Sequence, residues 1–197
     1  PGGTLTTVYS FCSVNYPDCA DGYLPQYAAL MQATDGALYG TTPTGGTNCS
    51  PTGCGTIFKI TTGGTLTTLY SFCAASGCPD GQIPRGTLVQ YTNGSLYGTT
   101  FEGGANNKGT VFSLSVGLGA FVEPQTTSGK VGATVKILGT NLTGATSVKF
   151  NGTAAVFKVA LSSEITTTVP TGATTGTVEV TTPTGTLKSN VVFRVTN

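Results

Sequence analysis

One stretch of eleven residues occurs twice, almost letter for letter: GGTLTTVYSFC over residues 2–12 and GGTLTTLYSFC over residues 63–73, with Val8 against Leu69 as the only change. A duplication this close means that the chain builds a structural unit more than once, so the unit has to be found before anything else is read. Further pairs follow in the same order. Asp21-Gly22 matches Asp80-Gly81, Pro25 matches Pro84, and DGALYGTT (35–42) matches NGSLYGTT (93–100). Gly45-Gly46 matches Gly103-Gly104, and GTIFKI (55–60) matches GTVFSL (109–114). The main deletion between copies turns TNCSPTGCGT into ANNKGT.

Each period reads as four short strands, in the first copy near 28–33, 37–42, 55–60 and 64–72. Asp35-Gly36 and Asn93-Gly94 separate the first two strands of each copy, and such dipeptides favour the type I′ hairpin turn because both central residues take positive φ. In the opening segment Leu5, Thr7, Tyr9 and Phe11 alternate with Thr6, Val8 and Ser10, the period of two of a strand. Four antiparallel strands per repeat describe a propeller blade. Two blades do not close a ring, since propellers use roughly four to eight.

The opening copy of GGTLTTxYSFC has no unit in front of it, and the second unit has no such copy behind it. This predicts an orphan strand, with Leu5, Thr7, Tyr9 and Phe11 as its pairing residues, and four arrangements satisfy it. The chain is the tail of a longer array; or copies donate the opening strand to one another and close a ring; or donation stays open and builds a filament; or VGLGAFV (116–122) fills the gap and leaves the opening strand on an edge. An unpaired edge is a template for association, and a head-to-tail contact that does not close gives a fibre.

Six cysteines fall in close pairs, Cys12/Cys19, Cys49/Cys54 and Cys73/Cys78. The first and third pairs occupy equivalent positions of the repeat, which favours local disulfides in an oxidising compartment. With no His and no CxxC, a zinc site is disfavoured, and neither PDCADGY nor CPDGQ has the ligand density of a calcium loop. The same lack of His removes the usual base for a Ser or Cys nucleophile. Asp21 and Asp80 stand at equivalent positions before Gly, which suits a turn role better than a catalytic pair. No catalytic residue, metal or cofactor is therefore assigned.

Only 9% of residues are charged, and the net charge is +1. No basic run interleaved with aromatics supports nucleic-acid binding, and no apolar stretch has the length of a membrane-spanning helix. No signal-peptide pattern opens the chain, so a secreted protein would appear here in mature or partial form. Tyr39, Tyr97, Phe58 and Phe112 recur in predicted strands and read as blade core. Tyr16, Tyr23 and Arg85 are less repeated and are the candidates for ligand contact, with polysaccharide the ligand class that exposed aromatics suit.

LYGTT…GG…GT[IV]F followed by GGTLTTLYSF…DG resembles the GloVer tandem repeat of predicted extracellular bacterial proteins, over residues 2 to about 115. The resemblance implies a propeller-like repeat and no settled chemistry. Beyond SVGLGAFVEP the Cys and Tyr stop. Val135-x-Ile137-x-Gly139-x-Asn141-Leu142, Val148-x-Phe150-Asn151-Gly152, Val169-Pro170 and Gly176-x-Val178-x-Val180 resemble an IPT/TIG domain, which implies an immunoglobulin-like β-sandwich. The alternation of Val135/Ile137 and Val178/Val180 independently supplies one inward face. The expected fold is thus all-β: propeller-blade-like antiparallel repeats over residues 1–118 and an immunoglobulin-like β-sandwich over 119–197. The expected role is a non-catalytic extracellular or cell-surface structural or adhesive protein that associates with itself or with upstream repeats; a carbohydrate-binding module is the alternative.

Overall fold

The computed structural model describes residues 2–197 and is all-β, with no helix among them. It divides into two compact units. One runs to Tyr91 and resumes over Ser95–Val116; the other takes Thr92–Gly94 and Gly117–Asn197.

The first unit carries both repeats. Repeat one is a four-stranded antiparallel sheet in chain order: β1 (Met31–Gln32), β2 (Leu38–Thr42), β3 (Thr56–Ile60) and β4 (Leu66–Ser71). The turn from β1 to β2 is not the expected type I′: of Asp35-Gly36 only Gly36 takes positive φ, at +80°, the loop is closed by the Ala33 amide on the Ala37 carbonyl, and the Asp35 carboxylate accepts from the Ala37 amide. Along β3 and β4 the pairs are Thr56 with Ser71, Ile57 with Tyr70, Phe58 with Thr68, Lys59 with Thr67 and Ile60 with Leu66, so Leu69 is bulged out. Repeat two contains β5 (Gln82–Pro84), β6 (Val89–Gln90), β7 (Leu96–Glu102) and β8 (Val111–Leu114). Here β7 is central. β5 and β6 share one of its edges and β8 takes the other. The two sheets are blade-like, but no closed propeller forms.

The glycine in LYGTT has a packing cause. A Cβ on Gly40 would sit 2.6 Å from Cζ of Phe58, and one on Gly98 would collide with the ring of Phe112. In each repeat the tip of the phenyl ring from the neighbouring strand comes up against the bare backbone, a close approach only Gly allows.

The second unit is a sandwich. Its strands are β9 (Glu123–Pro124), β10 (Ser128–Lys130), β11 (Thr134–Leu138), β12 (Ser147–Phe150), β13 (Thr153–Ala155), β14 (Phe157–Leu161), β15 (Glu164–Thr168), β16 (Val178–Thr182), β17 (Gly185–Lys188) and β18 (Arg194–Thr196). One sheet runs β14-β15-β11-β9, the other β13-β12-β16-β17, and β10 pairs in parallel with β18. Val135 and Ile137 from the first sheet, and Val148, Phe150, Val178 and Val180 from the second, are buried in one core with Phe193. Phe150 and Phe193 meet edge to face at 5.1 Å. The alternation read from the sequence is the reason: every second residue of these strands faces inward.

Candidate functional site: an unpaired sheet edge

In repeat one, β3 is flanked by β2 and β4. Its twin in repeat two, β8, pairs with β7 alone among the described residues. Of VGLGAFV (116–122), weighed above as a filler, residues 116–121 form no strand, and Val122 bridges to Ser189 instead. Among the described residues the edge of β8 therefore carries no fourth strand.

The opening segment differs from its expectation. Residues 2–10 enter no ladder: a strand needs a neighbour for its amides and carbonyls, and none of the described residues pairs with them. The four predicted pairing residues split into two sets. Leu5 is 96% exposed and Thr7 is exposed, while Tyr9 and Phe11 are half-buried against their own repeat.

That partial anchoring copies the contacts of β4. The Tyr70 hydroxyl donates to Oδ2 of Asp80 at 2.7 Å, and the Tyr9 hydroxyl donates to Oδ2 of Asp21 at 2.7 Å. Phe72 meets Tyr70 at 5.3 Å and Phe112 at 5.1 Å; Phe11 meets Tyr9 at 5.3 Å and Phe58 at 5.1 Å. Thus β4 acts twice, pairing back onto β3 and reaching forward to repeat two through Tyr70 and Phe72. The opening segment performs only the forward half.

Asp21 and Asp80 clamp these segments. The Ser13 amide and hydroxyl both donate to Asp21 at 3.0 Å, and the Ala74 amide donates to Asp80 at 3.2 Å. Burial alone would push the Asp21 carboxyl up, but the hydrogen bonds from Tyr9 and Ser13 outweigh it and hold the group below its ordinary value. The hydrogen bond to Asp80, joined by burial, pushes the Tyr70 phenol up to about 12. Sequence reasoning missed the tyrosine partner, although YSFC precedes Asp-Gly in both copies.

Cys12–Cys19, Cys49–Cys54 and Cys73–Cys78 are disulfides. The first closes the loop between the opening segment and Asp21, and the third closes the loop between β4 and Asp80. The sulfurs of the second and third lie within 4.8 Å of one another, a convergence that linear spacing did not suggest. All four are oxidised, so they present no thiolates to a metal.

Of the ligand-contact candidates, the structure brings two together. Tyr16 and Tyr23 line one groove of 440 Å³ with Pro17, Leu24, Thr44 and Pro51. Arg85 is elsewhere, its guanidinium held between the rings of Tyr27 at 4.8 Å and Phe101 at 4.3 Å. Tyr39 and Phe58 are buried as blade core. Tyr97 departs from that reading at 36% exposed, resting edge-on against Tyr91. The Tyr39 hydroxyl donates to Asp35, which also pairs with Lys59 at 2.7 Å; at the twin positions stand Asn93 and Ser113, which lack that ion pair.

Comparison with known proteins gives two family matches. The model of the Gloeobacter/Verrucomicrobia repeat matches residues 1–154, and that of the IPT/TIG domain, a non-catalytic immunoglobulin-like family, matches residues 121–195. No curated protein matches. Among solved structures, a gamma-CGTase from alkalophilic Bacillus clarkii is similar at 16% identity and a TM-score of 0.35, over 85% of this chain and 25% of that one. A fungal alcohol oxidase of the AA5 family, in complex with copper, is similar at 14% identity and a TM-score of 0.30, over 83% of this chain and 40% of that one. The chain thus spans well under half the length of either protein.

Proposed function

This chain belongs to the Gloeobacter/Verrucomicrobia repeat family, and on that footing we propose that it is a non-catalytic, extracellular structural or adhesive protein whose copies join head to tail by donating the opening strand, into a filament or a closed ring. The reading rests on one observation. The opening segment is a near-identical twin of β4 and has no ladder partner, while β8, the twin of the strand that β4 pairs with, has a bare edge. The three disulfides support an oxidising, extracellular setting. The sandwich of the second unit adds a rigid module of a family that does no chemistry.

Light scattering over a concentration series tests this. A mass that climbs above 19.9 kDa with concentration, and stays at the monomer value after residues 2–12 are deleted, is the expected result. A monomer at every concentration refutes it. A discrete oligomer identifies a ring, and an open mass distribution identifies a filament.

The Tyr16 and Tyr23 groove favours a second reading, a carbohydrate-binding module of a secreted bacterial protein, because exposed rings beside a threonine hydroxyl suit a sugar face. Binding on a polysaccharide array that is lost in Tyr16→Ala supports it. Uniform silence across the array removes it.

A further inference from the structure

Resting on the assembly reading, a more specific arrangement can be derived from the junction between the two repeats. Each repeat has two faces. The face of repeat two that meets repeat one buries Leu88 to 1% exposure, and the face of repeat one that meets repeat two buries Ile57 to 1%. The twins of these residues lie on the faces that no repeat meets. Leu30, the twin of Leu88, is 53% exposed, and Val111, the twin of Ile57, is 79% exposed. The two exposed faces are therefore the two halves of the buried one. Removing apolar side chains of this size from water is favourable, so both halves gain by meeting a partner of the right shape.

We propose that copies associate by reproducing the internal junction between neighbouring molecules: the first repeat of one copy docks on the second repeat of another, as repeat two docks on repeat one within the chain. The occupant of the β8 edge is residues 5–10 of the second copy. The β3–β4 ladder transfers position by position through the repeat. Ser10 pairs with Thr110, Tyr9 with Val111, Thr7 with Phe112, Thr6 with Ser113 and Leu5 with Leu114, and Val8 is bulged as Leu69 is. Tyr9 and Phe11 of the donor keep their clasp on Asp21 and Phe58 of their own first repeat. One segment thus spans two molecules, as β4 spans two repeats. The Val111 face of the acceptor is covered by the donor's first repeat around Leu30. Each chain carries one donor face and one acceptor face, so the contact is heterologous and repeats from copy to copy, closing as a ring or running on as a filament.

The test uses Leu30→Arg, which blocks the donor face, and Val111→Arg, which blocks the acceptor face. Both residues are exposed in the monomer, so both variants fold, and unchanged tyrosine fluorescence and near-UV circular dichroism verify it. Each variant alone remains at 19.9 kDa. Their equimolar mixture doubles in mass and stops there, because only one junction type, Val111→Arg donor on Leu30→Arg acceptor, is intact. Cysteines then fix the register. A Thr6→Cys chain mixed with a Ser113→Cys chain forms a covalent heterodimer, and Thr6→Cys with Thr110→Cys does so at least tenfold less. If wild type never assembles, the assembly reading itself fails. If wild type assembles but either variant alone still polymerises, or the mixture stays monomeric, or the shifted cysteine pair cross-links equally well, this junction is wrong while assembly stands.

Discussion

Phe72 is buried where the two repeats meet, against Phe112, and truncating it to alanine gives a prediction with a built-in control. The ring is 1% exposed and meets Tyr70 and Phe112 edge to face. Phe72→Ala removes a fully buried aromatic and leaves a cavity, which costs about 3–5 kcal/mol. Of that, about 0.5–1.5 kcal/mol belongs to the ring pair with Phe112, separable by a double-mutant cycle. Phe11, the twin, makes the same ring contact with Phe58 but is only half-buried, so Phe11→Ala costs about 1–2 kcal/mol. All eight tyrosines precede Gly98 and the chain has no Trp, so tyrosine fluorescence reports the repeat unit alone. The measurement is made in the Val111→Arg background, which keeps the chain monomeric. With a urea slope of about 2 kcal/mol per molar, the midpoint falls by about 2 M for Phe72→Ala and by less than 1 M for Phe11→Ala. Equal shifts, or a larger one for Phe11→Ala, would refute the claim that the opening segment makes half of the contacts of β4.

Other outcomes follow from the same contacts. Spectrophotometric titration should show one phenol ionising near pH 12, assigned to Tyr70 by its return toward 10 in Asp80→Asn. Because that value is raised on folding, its stabilising contribution is intact below about pH 10 and is lost as pH rises toward 12. The Asp21 carboxyl is lowered on folding, so its contribution is present above the ordinary carboxylate range and disappears as pH falls through the depressed value; acid unfolding of Asp21→Asn should lose that dependence. Gly98→Ala should destabilise the repeat unit by about 1–3 kcal/mol through overlap with Phe112, read as a lower urea midpoint. Replacing Cys73 and Cys78 together by alanine should cost about 2 kcal/mol, the loop-closure value for so short a ring, again by urea unfolding.

Much of this was legible in the sequence because repetition makes patterns self-checking. Two copies of LYGTT placed β2 and β7, and two copies of GT[IV]F placed β3 and β8. The alternating valines of the C-terminal region located the sandwich core before any coordinate did. What stayed hidden was whatever depends on which repeat has a neighbour. Ile57 and Val111 are equivalent by alignment yet differ from buried to exposed, since exposure is set by the adjoining repeat rather than by the residue. The same applies to Tyr97, read as core by analogy with Tyr39. The opening segment has strand-like alternation and forms no strand, because a ladder takes two partners and local pattern describes only one. Tyr9 with Asp21 and Tyr70 with Asp80 were also missed: each pair is joined across a disulfide-closed loop, and no regular period runs through a loop.

The double duty of β4 has a consequence for how such proteins grow. A strand that completes one sheet while clasping the next carries both sides of the joint within a single continuous piece of chain. Duplicating one period in the gene would deliver a module already equipped to bind its predecessor and its successor, with no fresh complementary surface to invent. The number of blades could then drift by unequal crossing-over, and lineages would differ in length long before they differed in design.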